Sequence, residues 1–545
     1  MGNKRLSALL SAALAMFCTA AGFAEETCKP VKPGGIDGRP FWNRSSSIFM
    51  YPPSFDFPAI ENAAKYRYII EDDERKEYRF EEKTPIHSLA PIWSRLPTGF
   101  LRLEVLAINK SGRTIGQCGY RKFWKSAAFK AEEMPKRVSE FGEAAARYFD
   151  WLFSMENTQS YLKKGVPDED YPYNAYPSKI DAALVNACIE YAKLRPDRAE
   201  DAMTVAKRAA DHLLSLRLPH DSPLAHFTPT YRILSPSRPF AADDAQPDVV
   251  ARKYSGQNMI VYPARAGLAF LNLHAATKDM RYMDAAVKIA QTYERLQGED
   301  GTWHLKLCEK TGKPTSPNRM IPLAVCDFLE RLYAGTGNVR YREMSDRAFA
   351  YMEKGPLSDW NWEAQFEDVE PSRRYRNLTV HPPVSAALHL LRRYPNDAKR
   401  RELARECLRF AEDQFVLWKN PFRADGSGPL GRDTSYFPRA DKEKWFEVPG
   451  VCEQFDWYLP IDSAAAKMIR GYLAFYRLER KKADLEKARA LGAAITIMQA
   501  KHDQNGAIPT HWIDWEVGKK TNPWINCGIG TANALALLES FSQQD

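Results

Sequence analysis

Two textures divide the chain. Between Asp37 and about Lys125, apolar and polar residues alternate with period two in YRYIIEDD, EYRFEE, FLRLEVLAIN and RTIGQCGYRKF, and NKSG forms a turn between the last two. Alternation at this period gives each segment one face for a core and one for water, so these segments read as β-strands. After Met134-Pro135 the apolar residues recur at three and four. That spacing predicts twelve helices, over roughly 136–163, 178–195, 198–217, 256–277, 280–297, 318–334, 338–354, 381–394, 396–415, 461–480, 484–501 and 526–541. YMDAAVKIAQTYERL and LEKARALGAAITIMQ carry the stripe expected of helices with one buried face.

Short strands at this spacing predict a β-sandwich over 25–130, and IWSRLPTGFLRLEVLAINKSG resembles the later strands of a fibronectin III-like module. Two helical segments, MDAAVKIAQTYERLQGEDGTWHL and EKARALGAAITIMQAKHDQNGAIPTHW, both run through Gln into an acidic, Gly-containing turn and a Trp. This is a degenerate repeat of helical hairpins, the mark of a closed or stacked array. Twelve helices in six pairs predict a mainly α chain whose residues 135–545 form an (α/α)6 toroid, the expected catalytic domain. An open α-solenoid is the rival, although solenoid repeats are more uniform in length. Insertions at 218–255 and 416–460 follow the third and ninth helices. In a toroid, loops of that length would wall a central cleft.

The first residues change the compartment. MGNKRLSALLSAALAMFCTAAGFA has a basic start, an apolar run and small residues before Glu25, which predicts a signal peptide over 1–24 and export to the periplasm or beyond. No later stretch approaches the roughly 20 apolar residues of a membrane span. Formal charge is +8, and losing Lys4 and Arg5 leaves 75 basic against 69 acidic residues, or +6. The cations are scattered and give nucleic-acid binding little support; they would suit an anionic substrate. Of the eight cysteines beyond Cys18, Cys28 and Cys118 bracket the β segment and are expected to form a disulfide. The other six lack metal-ligand spacing and read as core thiols.

No GxSxG, HExxH, GxxxxGK or dinucleotide fingerprint is present, so no metal or cofactor is expected and chemistry must come from scattered side chains. VCEQFDWYLPIDSAAAK sets Glu453, Asp456 and Asp462 among Phe455, Trp457 and Tyr458. Asp462 opens a helix and is expected to cap it. Glu453, outside the helix and against aromatic rings, suits a general acid, with Asp456 as base or nucleophile and Tyr458 as a contact. In RRYRNLTVHPPVSAALHLL, Arg373, Arg374 and Arg376 crowd ahead of His381, which stands at a helix entrance where it can shuttle protons or bind a hydroxyl; His389 reads as structural. Tyr171, Tyr173 and Tyr176 precede Lys179, and Tyr254, Gln257 and Tyr262 follow the first insertion. Aromatic faces stack on sugars and cations bind uronates, but aromatic residues at a helix start also serve as packing plugs. Asn318 and Arg319 in TSPNRM, with His511, Trp512 and Trp515 in IPTHWIDW, complete the candidates, the Trp-rich turn as a sugar platform.

YPSKI, YSGQNMIVYPA, GTWHLK, NLTVH, CEQFDWYLPID and AIPTHW together resemble glycoside hydrolase family 154, exo-acting β-glucuronidases secreted by polysaccharide-degrading bacteria. The resemblance spans nearly all of the chain after the leader, and it implies an (α/α)6 catalytic domain and terminal β-linked glucuronic acid as substrate. Where NLTNHD would be expected, this chain has NLTVHPP, which leaves His381 without an adjacent acid. The leading expectation is hydrolysis of a uronic-acid-containing glycan, with Glu453, Asp456 and His381 catalytic and with Lys179 and Arg319 gripping the uronate beside His381. The alternatives are a uronate lyase using Tyr262 or Tyr458 with His381, and a non-catalytic glycan-binding protein.

Overall fold

A computed structural model describes residues 28–31, 35–36, 39–40, 46–240, 246–370, 374–421, 447–502, 505–512 and 523–542. The expected signal peptide, Arg373 and Trp515 lie outside the described residues. The N-terminal strands are β1 (Ile48–Phe49), β2 (Lys65–Asp72), β3 (Glu77–Glu82), β4 (Gly99–Ile108) and β5 (Thr114–Lys125), in sheet order β1-β5-β4-β2-β3. Period two is realised: Tyr66, Tyr68 and Ile70 of β2 turn inward and pair in register with Ala107, Val105 and Leu103 of β4.

The sandwich is not what the described residues show. Apart from a two-residue pairing of Gly35–Ile36 with Arg39–Pro40, they hold a single five-stranded sheet here, and its inner face is covered by Phe55, Leu89, Ile92, Trp93 and Leu96 from loops and a single helical turn. Those covering segments, YPPSFDFP and TPIHSLAPIW, are rich in proline, which cannot donate to a ladder, so they pack as irregular chain. Nor is there a disulfide, because Cys28 and Cys118 are both free thiols. Cys28 lies near Lys125 at the end of β5, while the Cys118 thiol donates to the Val105 carbonyl at 3.3 Å. Seven residues of strand separate Lys125 from Cys118, roughly 23 Å of rise.

The helices of the ring follow as α1 (Phe141–Ser154), α2 (Pro177–Leu194), α3 (Ala199–Ser215), α4 (Tyr262–Thr277), α5 (Met280–Leu296), α6 (Leu323–Thr336), α7 (Val339–Lys354), α8 (His381–Arg393), α9 (Ala398–Phe415), α10 (Asp462–Glu479), α11 (Lys482–Lys501) and α12 (Ile525–Ser542), with shorter helices at Glu156–Lys164, Gln246–Lys253 and Pro356–Asp359 between them. The even-numbered helices pack in a closed cycle, α2-α4-α6-α8-α10-α12 and back to α2. Each of them is backed by an odd-numbered partner, and the last pair joins α12 to α1 from the start of the ring. This is an (α/α)6 toroid. The solenoid alternative falls because the ends meet.

The degenerate repeat is the joint between outer helices. At the end of α5, the Gln297 amide donates to the carbonyls of Gly301 and of Met344 on α7, and Arg347 of α7 donates back to it. At the end of α11, the Gln499 amide donates to Gly506 and to Ala144 of α1, and Arg147 of α1 donates back. Gly301 and Gly506 have φ of +90° and +104°, and a Cβ on either would stand inside van der Waals contact of a carbonyl oxygen of the neighbouring helix, that of Arg347 or Arg147.

The sheet docks on the C-terminal end of α9. Asp413 Oδ1 accepts from the backbone N–H groups of Met50 and Tyr51, each at 2.7 Å, and the Arg409 guanidinium lies 4.3 Å from the centre of the Tyr51 ring. Among the described residues, no helix is long and apolar enough to cross a membrane.

Gly301→Ala and Gly506→Ala should each lower the unfolding free energy by about 1–3 kcal/mol, the cost of backbone strain at such φ values. Denaturant melts check this; either variant as stable as wild type would mean that the joint does not need glycine.

Candidate functional site at the N-terminal ends of the inner helices

Because each of the first five inner helices is followed by an outer one that returns along it, and α12 is backed by α1, all six inner helices run the same way and open at one end of the ring. Each has a proline within a few residues of its start: Pro177, Pro263, Pro322, Pro382, Pro460 and Pro523. Proline costs nothing there, since the first-turn N–H has no helical partner. The residues beside these prolines include Tyr176, Tyr262, His381 and Trp524, so the helix starts deliver rings and an imidazole to one end of the ring.

At its centre is an acid outside the candidates named above. Glu367, in the segment between α7 and α8, is fully buried; its carboxylate pairs with Lys179 of α2 and accepts from the Tyr262 hydroxyl of α4. The Tyr231 hydroxyl donates to the Glu367 carbonyl at 2.9 Å. Burial pushes the Glu367 carboxyl up, but the Lys179 ammonium and the hydroxyl outweigh it and hold it below its ordinary value. Its neighbour Asp368 goes the other way. Burial, then the ionised Glu367, with Glu453 adding, push Asp368 up to about 7.

His381, the first residue of α8, has Nε2 3.5 Å from Glu453 Oε1, with Phe366 edge-on at 5.9 Å. Protein encloses the imidazole, yet 23 % of the side chain remains accessible, as befits the wall of a recess. Burial lowers its pKa, Glu453 opposes that, and the cations Lys467 and Arg265 reinforce it, so the ring is neutral near pH 7. The Glu453 carbonyl accepts from Val380 N and the Thr379 hydroxyl, which fixes this loop to the entrance of α8.

Aromatic side chains line the same place. Trp524 lies over Tyr176 with rings 6.0 Å apart and 15° from parallel, and the Lys179 ammonium sits 4.2 Å from the centre of a Trp524 ring. The Tyr176 hydroxyl is buried, without a hydrogen-bond partner among the described residues, and feels the charges of Glu367 and Asp368. Tyr254 packs against Tyr231, donates to Glu370, and has the buried Lys306 ammonium 3.8 Å from its ring centre. Thus Tyr176, Lys179, Tyr254, Tyr262, His381 and Glu453 come together.

The other candidates go elsewhere. Asp456 is exposed, its backbone N–H bound to Asn377, and the charge acting on its carboxyl is Arg376. The Tyr458 hydroxyl is buried against the Gln414 carbonyl at 2.6 Å. Arg319 is held by Asp300 and the Thr302 carbonyl, and the Asn318 amide reaches Glu363 at 3.3 Å. Trp512 is wholly buried, so the repeat's Trp is core and presents no open sugar platform, while the His511 ring packs 6.0 Å from Trp457. Asp462 opens α10 from within its first turn; its carboxylate accepts from Ser463 N and from the Thr531 hydroxyl of α12. His389 stacks on Phe349 and faces Asp327. Among the described residues, no group of three or more His, Cys, Asp or Glu side chains is placed to hold a metal ion.

No family model matches this chain, and no curated protein matches its sequence. Among solved structures it is similar to cellobiose 2-epimerase from Spirochaeta thermophila, at 13% identity over 74% of this chain and 97% of that one, with a TM-score of 0.50. It is also similar to a family 76 glycoside hydrolase from a bovine Bacteroides thetaiotaomicron strain (12% identity, 94% and 100% covered, TM-score 0.45). A third is the unsaturated glucuronyl hydrolase from Streptococcus agalactiae (11%, 75% and 98%, TM-score 0.41). At such identity the likeness to the epimerase is one of fold.

Lys179→Met would leave Glu367 buried without its counter-charge and should destabilise the protein by about 3–5 kcal/mol at pH 7. In wild type, the lowered Glu367 contributes stability that is present above its unfolded pKa and lost as pH falls through the folded value. In the variant, Glu367 takes up a proton more readily, so the deficit should shrink between pH 7 and pH 4 in urea melts. An equal deficit at both would mean that Glu367 is not ionised in the folded chain.

Proposed function

We propose that this chain is a glycoside hydrolase of the toroid class that removes terminal β-linked glucuronic acid from a glycan, with Asp368 as general acid and Glu453 as its partner carboxylate. The observation that carries the proposal is the charge arrangement at Asp368: a carboxyl pushed up to about 7 by burial and by the ionised Glu367 beside it, with Glu453 adding. Cleavage of a glycosidic bond requires a carboxyl that keeps its proton and a second carboxyl group to work with it. Asp368 gives its proton to the departing oxygen as the bond to the anomeric carbon breaks. Glu453 either takes a proton from the water that attacks that carbon, or attacks it directly and is later released by water. The anomer formed first, read by NMR, tells which.

The family 154 resemblance supplies the sugar and linkage in this proposal, and the leader-like residues 1–24 supply export. The lyase reading is the weaker one. It needs a tyrosine that gives up its proton, whereas the Tyr262 hydroxyl is bound to Glu367, and burial and that carboxylate raise its pKa well above the ordinary value.

Asp368→Asn should lower kcat on an oligosaccharide β-glucuronide by about 10²- to 10⁴-fold. The loss should be smaller on a nitrophenyl β-glucuronide, whose leaving group needs little protonation. Since the acid must hold its proton, wild-type kcat should fall as pH rises through about 7, the value to which Asp368 is pushed, and the variant should lose that limb. Undiminished oligosaccharide turnover by the variant would remove Asp368 from the mechanism.

A further inference from the structure

The cations that the sequence offered for an acidic substrate group are already engaged, Lys179 by Glu367 and Arg319 by Asp300. Two others in the recess are not. Arg265, the fourth residue of α4, is exposed on the inner wall with its guanidinium 4.8 Å from the centre of the Tyr262 ring, and it has no carboxylate partner among the described residues. Lys467, the sixth residue of α10, has neither an ion pair nor a hydrogen bond among the described residues. In the cycle of inner helices, α4 and α10 stand opposite each other. Even so, the two side chains act on each other and both act on His381, so they lie within electrostatic reach of one another across the ring. Arg470, one helical turn beyond Lys467, adds a third cation and donates to the Gly530 carbonyl at 3.2 Å. The acid that acts on Lys467 is Asp327, which is already paired with Arg392 and lies 3.5 Å from His389.

Burial pushes the Lys467 ammonium down to about 8, and of its charged neighbours Asp327 opposes this while Arg470, Arg265 and Arg392 add to it. An enclosed, unpaired ammonium facing other cations, as at Lys467, is costly, and packing alone would be better served there by an apolar side chain. An anion between them removes that cost. The depth also fits. At about 1.5 Å of rise per residue, Arg265 and Lys467 lie roughly 5–8 Å below the helix starts, whereas Asp368 and Glu453 stand in the loops above. A sugar entering past the loops would therefore meet the carboxyl groups first and the cations deeper.

We propose that Arg265 and Lys467, reaching from opposite helices, form the seat for the acidic group of the terminal sugar and set the preference for a uronide over its neutral counterpart. The inference rests on the hydrolase reading for its substrate, but the seat can be tested apart from turnover. Wild type should bind free glucuronate, and not glucose, by calorimetry. Arg265→Met and Lys467→Met should each weaken glucuronate binding by about 100-fold, and lower the ratio of kcat/KM for aryl β-glucuronide over aryl β-glucoside by a similar factor. The unfolding temperature should stay unchanged or rise, which a structural role for these cations would not allow. Glucuronate binding that is absent in wild type, or that survives both substitutions, overturns the seat. If wild type binds glucuronate through these residues but cleaves neither glycoside, the hydrolase reading fails and the seat stands.

Discussion

The pairing of α1 with α12 is the contact on which everything else depends. Nearly four hundred residues separate the two helices, and the loop-closure entropy of bringing them together is recovered only when the whole cycle of inner helices is complete. Closure also fixes direction. Six inner helices that all run one way present six N-termini at one end, with their free N–H groups and the positive ends of their dipoles. A recess so built favours negative charge, which is why acidic side chains can gather there. The joints at Gly301 and Gly506 show how closure is achieved locally: the same glutamine clamp and the same close approach of backbone to backbone occur at α5 against α7 and at α11 against α1, where the ring meets its own beginning.

Within the recess, the buried pair of Lys179 and Glu367 sets the electrostatic order. Glu367 keeps its charge because an ammonium and a hydroxyl reach it, and that fixed charge beside Asp368 makes a second ionisation unfavourable. One carboxyl is stabilised as an anion so that the next retains its proton. His381 is kept neutral by burial and by the cations below it, and so it does not quench Glu453 with a full positive charge. The recess is therefore graded, with carboxyl groups at the loops and unpaired cations a turn or more deeper.

Much of this was legible in the chain. The change from period two to period three-to-four places the boundary between sheet and helices, and the helix spans follow from apolar spacing because each helix must bury one face. Proline after Tyr176, Tyr262 and His381 marks the inner helix starts. The sandwich was misread because strand periodicity reports a buried face and not what covers it; loops bearing Phe55 and Trp93 do so as well as a second sheet would. Trp512 was misread for a related reason. A tryptophan after a turn looks the same in sequence whether it closes a joint or faces a sugar.

What the sequence determined by itself was the alphabet of elements: which segments are strands, which are helices, and which rings and charges stand at their starts. These follow from interactions within a few residues, where backbone geometry and the demand for one apolar face leave little choice. Only the tertiary structure decided which charges meet. Glu367 lies 188 residues from Lys179 and 105 from Tyr262, and FEDVE carries no period or motif that reveals either partner. The state of Asp368 depends on that distant meeting, and the freedom of Arg265 and Lys467 depends on what failed to arrive beside them. Proton affinity is set by neighbours in space, and neighbours in space are settled only when the ring closes.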